Sequence, residues 1–506
     1  MKLLNNFKNF SLKELEGHFS KYVSYYIFFV ILFTLSPFGS LSGNEEMYYG
    51  LAKKFLDNSW NGEFSSFDYT GNYRFISDFL IGSMISLLGF KCTQIVGSII
   101  SSFILTHCFV LLLRSINLLK LEGLIGIILF ILLGQSLIGR EWLFEDFEAK
   151  VFAYYFVIIS LNFYVKNNLK YSLFFISIAT YFHLLVGFFW FFIILLSLYD
   201  LRSLIFLKKI IKYAISYLVL TSPIMITASF GFIGSDFIQD PKLPTPDYIY
   251  SYIRQFKMVL PFYNFSSFYI SWLPGIIAHL SVLLCILIIH LSKNSNQNKL
   301  FKLIISANLI LFTFLIISFF DTDGFFGKFY PFRISSLLFL LSIFFLISSF
   351  KKLVERNSFI ISFICIILIS PFFLMQNLIA SSYDIKNAFF HDSTKVGLYE
   401  FINITAEKNE LVLIDEEIEE KFFDFERSLN LPTLQTFKFV PSSKEALTKW
   451  YLKREFKKNI FNGSVRDYPS YDYSYLLSSL NKKELLSKNH EVIFENKKYV
   501  FLRIYN

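Results

Sequence analysis

The stretch Gln94-Ile95-Val96-Gly97-Ser98-Ile99-Ile100-Ser101-Ser102-Phe103-Ile104-Leu105-Thr106-His107-Cys108-Phe109-Val110-Leu111-Leu112-Leu113 carries no charge, and Lys91 and Arg114 stand just outside it. About 20 apolar residues in a helix cover the roughly 30 Å hydrocarbon core of a bilayer. Comparable runs lie near 22–42, 122–139, 151–166, 170–185, 186–200, 210–230, 266–291, 301–320, 333–350 and 357–378. Several are short, which admits tilt or re-entry. The run 76–90 begins beside Arg74 and Asp78 and is interrupted by Gly82 and Gly89, so it reads as a helix lying on the membrane surface.

Composition points the same way. Of 506 residues 54% are hydrophobic and 20% aromatic, Phe alone supplies 65, and mean hydropathy is +0.50. Charged residues make up 17%, against roughly 25% in soluble domains. A soluble fold of this size has too little interior for that much apolar surface. Soluble enzymes, disordered proteins and nucleic-acid binders are excluded. The expected fold is a polytopic α-helical membrane protein of about 11 spans over residues 1–378. A C-terminal extracytoplasmic α/β domain follows at 379–506.

The net charge of +9 reflects topology, not a nucleic-acid partner. The tail carries 19 Lys/Arg against 19 Asp/Glu, which leaves 29 basic and 20 acidic residues before it. With the N-terminus in the cytoplasm, inner loops hold 18 of those 29 basic residues and outer loops 15 of the 20 acidic ones. That is the expected asymmetry, and eleven spans place the tail outside. Met1 to Lys21 is polar and no small-residue cleavage site follows the run 22–42, so the first span is expected to be retained. Cys92, Cys108, Cys285 and Cys365 all sit in or beside apolar runs, which offers neither a disulfide framework nor a CxxC metal site. In the tail, Leu411-Val412-Leu413-Ile414 reads as a buried strand, Lys444 to Lys458 as a helix, and 492–494 with 499–502 as a hairpin.

Two outer segments concentrate carboxylates. The first outer loop, 43–93, opens with Asn44-Glu45-Glu46-Met47-Tyr48-Tyr49. The second, 140–150, reads Arg140-Glu141-Trp142-Leu143-Phe144-Glu145-Asp146-Phe147-Glu148-Ala149-Lys150. A carboxylate at a membrane boundary is costly unless it meets water, a cation or a donor. The second segment is therefore either a solvated charged loop or a site. A site of this composition suits transfer of a sugar from a lipid phosphate. A carboxylate can take the proton of the attacking hydroxyl, and Arg or Lys can stabilise the departing phosphate. No GxxxxGK[ST] or GxGxxG loop marks a nucleotide site.

Asn44-Glu45-Glu46-x-Tyr48-x3-Ala52 resembles the Asp-Glu-x-x-Tyr-x3-Ala pattern of the GT-C glycosyltransferase superfamily, with Asn44 where Asp is usual. In layout the chain is similar to protein O-mannosyltransferases and lipid A aminoarabinose transferases. The stretch 73–90, ending Leu88-Gly89-Phe90, is similar to their surface helix, and 139–152 to their second acidic loop. Glu141-Trp142, Glu148-Ala149-Lys150-Val151-Phe152-Ala153-Tyr154, Phe437-Lys438-Phe439-Val440-Pro441 and Lys449-Trp450-Tyr451-x2-Arg454 resemble a group of uncharacterised bacterial membrane proteins of GT-C type.

The resemblance implies a multi-pass enzyme of a bacterial inner (cell) membrane. It would move a sugar from a polyprenyl-phosphate donor to a glycan, lipid or protein acceptor on the outer face. Glu45, or Glu46, would be the base. Glu148, with Glu145 or Asp146, would orient the acceptor or a divalent cation. Arg140 and Lys150 would hold the carrier phosphate; Arg333, which opens a span on the outer side against the charge bias, reads as a further grip on that phosphate or as a snorkelling side chain. His183 reads as a substrate contact or a helix-packing residue, and Asp321-Thr322-Asp323 as a weak candidate for a divalent cation. The Pro- and Tyr-rich loop 231–262 reads as a lid or a structural loop. A transporter or flippase for lipid-linked sugars, and an inactive envelope-assembly scaffold, are the rival readings.

Overall fold

Long apolar runs free of internal breakers satisfy their backbone groups as helices, and the computed structural model is accordingly mostly helical, 78%, with a small sheet. It describes residues 12–35, 43–57, 74–139, 141–144, 146–198, 204–232, 241–254, 259, 265–292, 298–350, 393–406, 410–415, 418, 444–462, 473–487 and 490–504. The expected span at 357–378 and the piece Phe437–Pro441 lie outside them.

The helices are α1 (Leu12–Thr34), α2 (Gly43–Leu56), α3 (Phe75–Ser115), α4 (Lys120–Leu132), α5 (Ala149–Val165), α6 (Leu169–Phe182), α7 (Leu184–Ser197) and α8 (Leu204–Phe232). After a short helical segment at Phe265–Ser271 come α9 (Leu273–Ser292), α10 (Asn298–Phe320) and α11 (Ser335–Phe350). Among the described residues, five segments are long and apolar enough to cross a membrane: Phe75–Ser115, Ile210–Ala228, Phe268–Leu291, Lys299–Phe320 and Gly327–Ser349. The expected spans at 170–185 and 186–200 are instead two helices of 14 residues that meet at the extended residue His183. At about 1.5 Å per residue, each falls short of the bilayer core.

α3 is broken at Gly89, whose φ of 76° and ψ of 170° are open only to glycine. The helix expected at 76–90 ends there, and the next begins without an intervening loop.

The chain divides into two compact units. The first comprises Met1–Pro37, Gln94–Ile226 and Tyr250–Ser381; the second comprises Phe38–Thr93, Thr227–Ile249 and Ser382–Asn506. In the first, Gly327–Ser349 is 83% buried and Ile210–Ala228 only 22%. The buried span is the interior of the bundle. The other presents Ile211, Ile215, Leu218 and Val219 outward, a face too apolar for water. Three pairs of polar side chains join neighbouring helices. The Ser160 and Ser172 hydroxyls meet at 3.0 Å, Thr180 Oγ1 and Tyr217 OH at 2.7 Å, and His279 Nε2 and Asn308 Oδ1 at 2.7 Å.

In the second unit, the tail forms α12 (Ser393–Thr405), β1 (Leu411–Ile414), α13 (Lys444–Phe461), β2 (Tyr473–Ser479), β3 (Glu491–Glu495) and β4 (Tyr499–Arg503). The sheet order is β1-β2-β4-β3, with β1 and β2 parallel and the other pairs antiparallel. Val412 and Ile414 point to one face by strand alternation and share a core with Leu398 and Ile402 of α12 and Leu477 and Phe501 of the sheet. The hairpin between β3 and β4 turns at Asn496, whose Oδ1 accepts from the Lys498 and Tyr499 amides at 2.9 Å each. The central strand β2 was not expected from the sequence.

Candidate functional site

The expected apolar run 122–139 stops being a helix at Leu132. Gln135 then adopts φ 62°, in the left-handed region, which turns the chain back. Its side chain fixes the turn: Oε1 accepts from the Leu143 and Phe144 amides at 2.9 and 2.8 Å, and Nε2 donates to Phe144 O at 2.8 Å. Phe144 packs edge-on against Phe109 and Phe130. Phe147 occupies the space a Cβ at Gly97 would take, 2.2 Å from its ring. The second acidic segment is therefore not a solvated loop. Glu141, Asp146, Glu148 and Lys150 are only 3%, 4%, 2% and 3% exposed.

Within this buried segment one ammonium faces several carboxylates. Lys150 Nζ lies 2.6 Å from Glu141 Oε1, 3.6 Å from Glu148 Oε1 and 3.2 Å from the centre of the Trp142 ring. Glu148 is the N-cap of α5, and its second carboxylate oxygen, Oε2, is buried without a hydrogen-bond partner among the described residues. Burial pushes the Glu148 carboxyl up to about 7. Lys150 and Arg333 pull it down, while Asp146 and Glu141 push it further up. A carboxyl so placed exchanges its proton near neutral pH.

Arg333 comes from the turn before α11. Tyr330 has φ 47° there and carries its ring under the Arg333 guanidinium, 4.5 Å away. The guanidinium Nη1 reaches His183 Nε2 at 2.6 Å. Arginine can only donate, so Nε2 is the acceptor. The ring nitrogen that the sequence suggested for substrate thus holds Arg333. Tyr154, on α5, donates to Arg333 O at 3.1 Å. The preceding turn is pinned by Ser251 Oγ donating to Gly324 O at 2.6 Å and by Tyr252 OH donating to Asp321 O. Asp321 Oδ2 accepts from the Gly327 amide at 2.7 Å. That carboxylate closes a turn, and among the described residues no three His, Cys, Asp or Glu side chains are placed to hold a metal ion.

The remaining expected residues are placed as follows. Arg140 and Glu145 lie outside the described residues, as does the side chain of Glu46. Glu45 is buried in the first turn of α2, in the second unit. There Ala52 of α2 packs its carbonyl against Gly82, where an added Cβ would come within 2.3 Å. Arg74 lies over the Tyr48 ring at 4.8 Å.

Sequence reasoning gave no role to Glu141, Trp142, Tyr154 or Tyr330. The Glu141-Trp142 pair was visible as a motif, but its partner, nine positions on, was not. No protein-family model matches the chain, and no curated protein matches it.

Proposed function

We propose that the chain is an integral-membrane glycosyltransferase that moves a sugar from a polyprenyl-phosphate carrier to an acceptor at the outer membrane surface. One observation carries this reading: Glu148 is a buried carboxylate with an oxygen unpartnered among the described residues, within the electrostatic reach of Lys150 and Arg333. The acceptor hydroxyl gives its proton to Glu148 as its oxygen bonds to the anomeric carbon. The bond from that carbon to the carrier phosphate breaks, and the electron pair leaves with the phosphate. Arg333, fixed by His183 and Tyr330, offers a planar fork to the phosphate oxygens. The resemblance puts the base at Glu45 or Glu46. The orphan oxygen and raised proton affinity of Glu148 support giving it that step.

The charge bias and the apolar spans support a multi-pass protein with its acidic segments outside. The test is transfer in proteoliposomes, with a radiolabelled polyprenyl-phosphate sugar as donor and an envelope extract as acceptor. Wild type should transfer label, and Glu148→Gln should not. The double change Glu45→Gln, Glu46→Gln measures the contribution of the first segment. Full activity of Glu148→Gln would remove the assignment, and full activity of the double variant would remove any role for the first segment.

A further inference from the structure

We infer that Glu141 and Trp142 form a clamp that draws the Lys150 ammonium toward Glu141 and so weakens its ion pair with Glu148. The inference rests on the functional reading above only in taking Glu148 as the working group; its test needs no substrate.

Lys150 sits one residue past Ala149, the first residue of α5, and Glu148 immediately precedes that helix. Sequence proximity alone would pair them. Instead the ammonium is 1 Å nearer to Glu141, at 2.6 against 3.6 Å, and its other face is covered by the Trp142 ring at 3.2 Å. A carboxylate and an indole face together suit one ammonium, the first by charge-assisted hydrogen bonding and the second by its quadrupole. Both come from adjacent residues of the segment that Gln135 folds back. The same fold leaves Glu148 Oε2 without a hydrogen-bond partner among the described residues.

The groups facing Glu148 are Lys150 at the start of α5, Asp146 on its own segment, Glu141 on the folded loop, Arg333 from the turn before α11, and Tyr154 one helical turn further along α5. His183 stands behind Arg333. If Lys150 were released, it would close on Glu148 and hold that carboxyl ionised to lower pH. The clamp therefore sets the pH at which Glu148 takes up its proton.

The test uses the full chain in detergent micelles and dicyclohexylcarbodiimide, which reacts with protonated carboxyls in apolar surroundings. Labelling of the peptide containing Glu148 is followed by mass spectrometry across neutral pH, with Glu148→Gln as the blank. Wild type should be half-labelled near neutrality. Glu141→Gln should move that midpoint down by about one unit, so that labelling at the wild-type midpoint falls about fivefold. Glu141→Asp should stay nearer wild type. Trp142→Leu changes no charge and should move the midpoint in the same direction by less.

In a Lys150→Met background the Glu141→Gln displacement should fall below half, since no ammonium remains to be released. An unchanged or rising midpoint in Glu141→Gln overturns the clamp. So does an undiminished displacement without Lys150, which would mean charge repulsion alone. Should Glu141→Gln fail to fold, an unmoved Trp142→Leu midpoint overturns it equally. A displaced midpoint in a protein that transfers no sugar keeps the clamp and removes the glycosyltransferase reading; transfer with no displacement does the reverse.

Discussion

Among the described residues, two buried clusters that join carboxylate and lysine are built on opposite principles. In the tail, Asp415 follows β1, and its Oδ2 accepts from Ser478 Oγ at 2.6 Å and lies 2.9 Å from Lys482 Nζ. Its amide donates to Leu477 O at 2.9 Å. Here an acid meets an ammonium and a hydroxyl. In the other cluster, Glu141 and Glu148 share Lys150, Asp146 and Arg333 also act on Glu148, and Glu148 Oε2 is buried with no hydrogen-bond partner among the described residues. Burying an ion costs several kcal/mol unless pairing is complete. A balanced cluster is a means of holding strands in place. An unbalanced one retains an unpaid cost that only a proton or a ligand relieves, and such groups gather at functional sites.

The contrast is broken or sharpened by four measurements. Glu148→Gln should lower transfer about 10²- to 10⁴-fold, the range for a lost general base, while leaving the thermal unfolding temperature unchanged or higher. A lower unfolding temperature would make Glu148 a structural ion after all. Arg333→Lys keeps the charge and loses the fork, and should raise the apparent KM for the carrier about tenfold. An unchanged KM would place the phosphate elsewhere.

The third measurement is pH dependence. The Glu148 carboxyl is raised from 4.5 to about 7. Transfer should therefore fall as pH drops through about 7, roughly tenfold per unit below it. Stability runs the other way. Between these values the unfolded chain has lost a proton that the folded chain keeps, so this group's contribution falls as pH rises from about 4.5 and levels off above about 7. It amounts to an order of 3 kcal/mol. Glu148→Gln should abolish both slopes, as read by activity and by chemical unfolding against pH.

The smallest effect is expected in the tail. Asp415→Asn should cost about 1–3 kcal/mol of stability and change transfer less than threefold. A large loss of transfer there would erase the distinction between the two clusters.

The long apolar helices were legible because twenty apolar residues admit few alternatives in any solvent, and α8, α9, α10, α11 and the second part of α3 fall on expected runs. What lay between them was not. The run 122–139 reads as one helix by hydropathy, yet its second half bends because a single amide, on Gln135, satisfies three backbone groups eight and nine residues on. Strand β2 hid because Tyr473-Ser474-Tyr475-Leu476-Leu477-Ser478-Ser479 has no clean alternation. Its pairing with β1 on one side and β4 on the other makes it a strand. Arg333 stood out by its place on the outer side of a span. Its contact with His183 joins residues 150 positions apart, and no local pattern announces that.

Gln135 carries a consequence for any mutational scan of this protein. It contacts no reacting group, lies in no motif and sits beyond the end of its helix, yet three hydrogen bonds from one side chain shape the segment bearing Glu141 and Glu148. A screen scored by activity alone would rank Gln135 beside the chemical groups. Only the carbodiimide titration would reveal that it is scaffolding, because its loss would scatter the reactivity of the whole cluster rather than shift one midpoint.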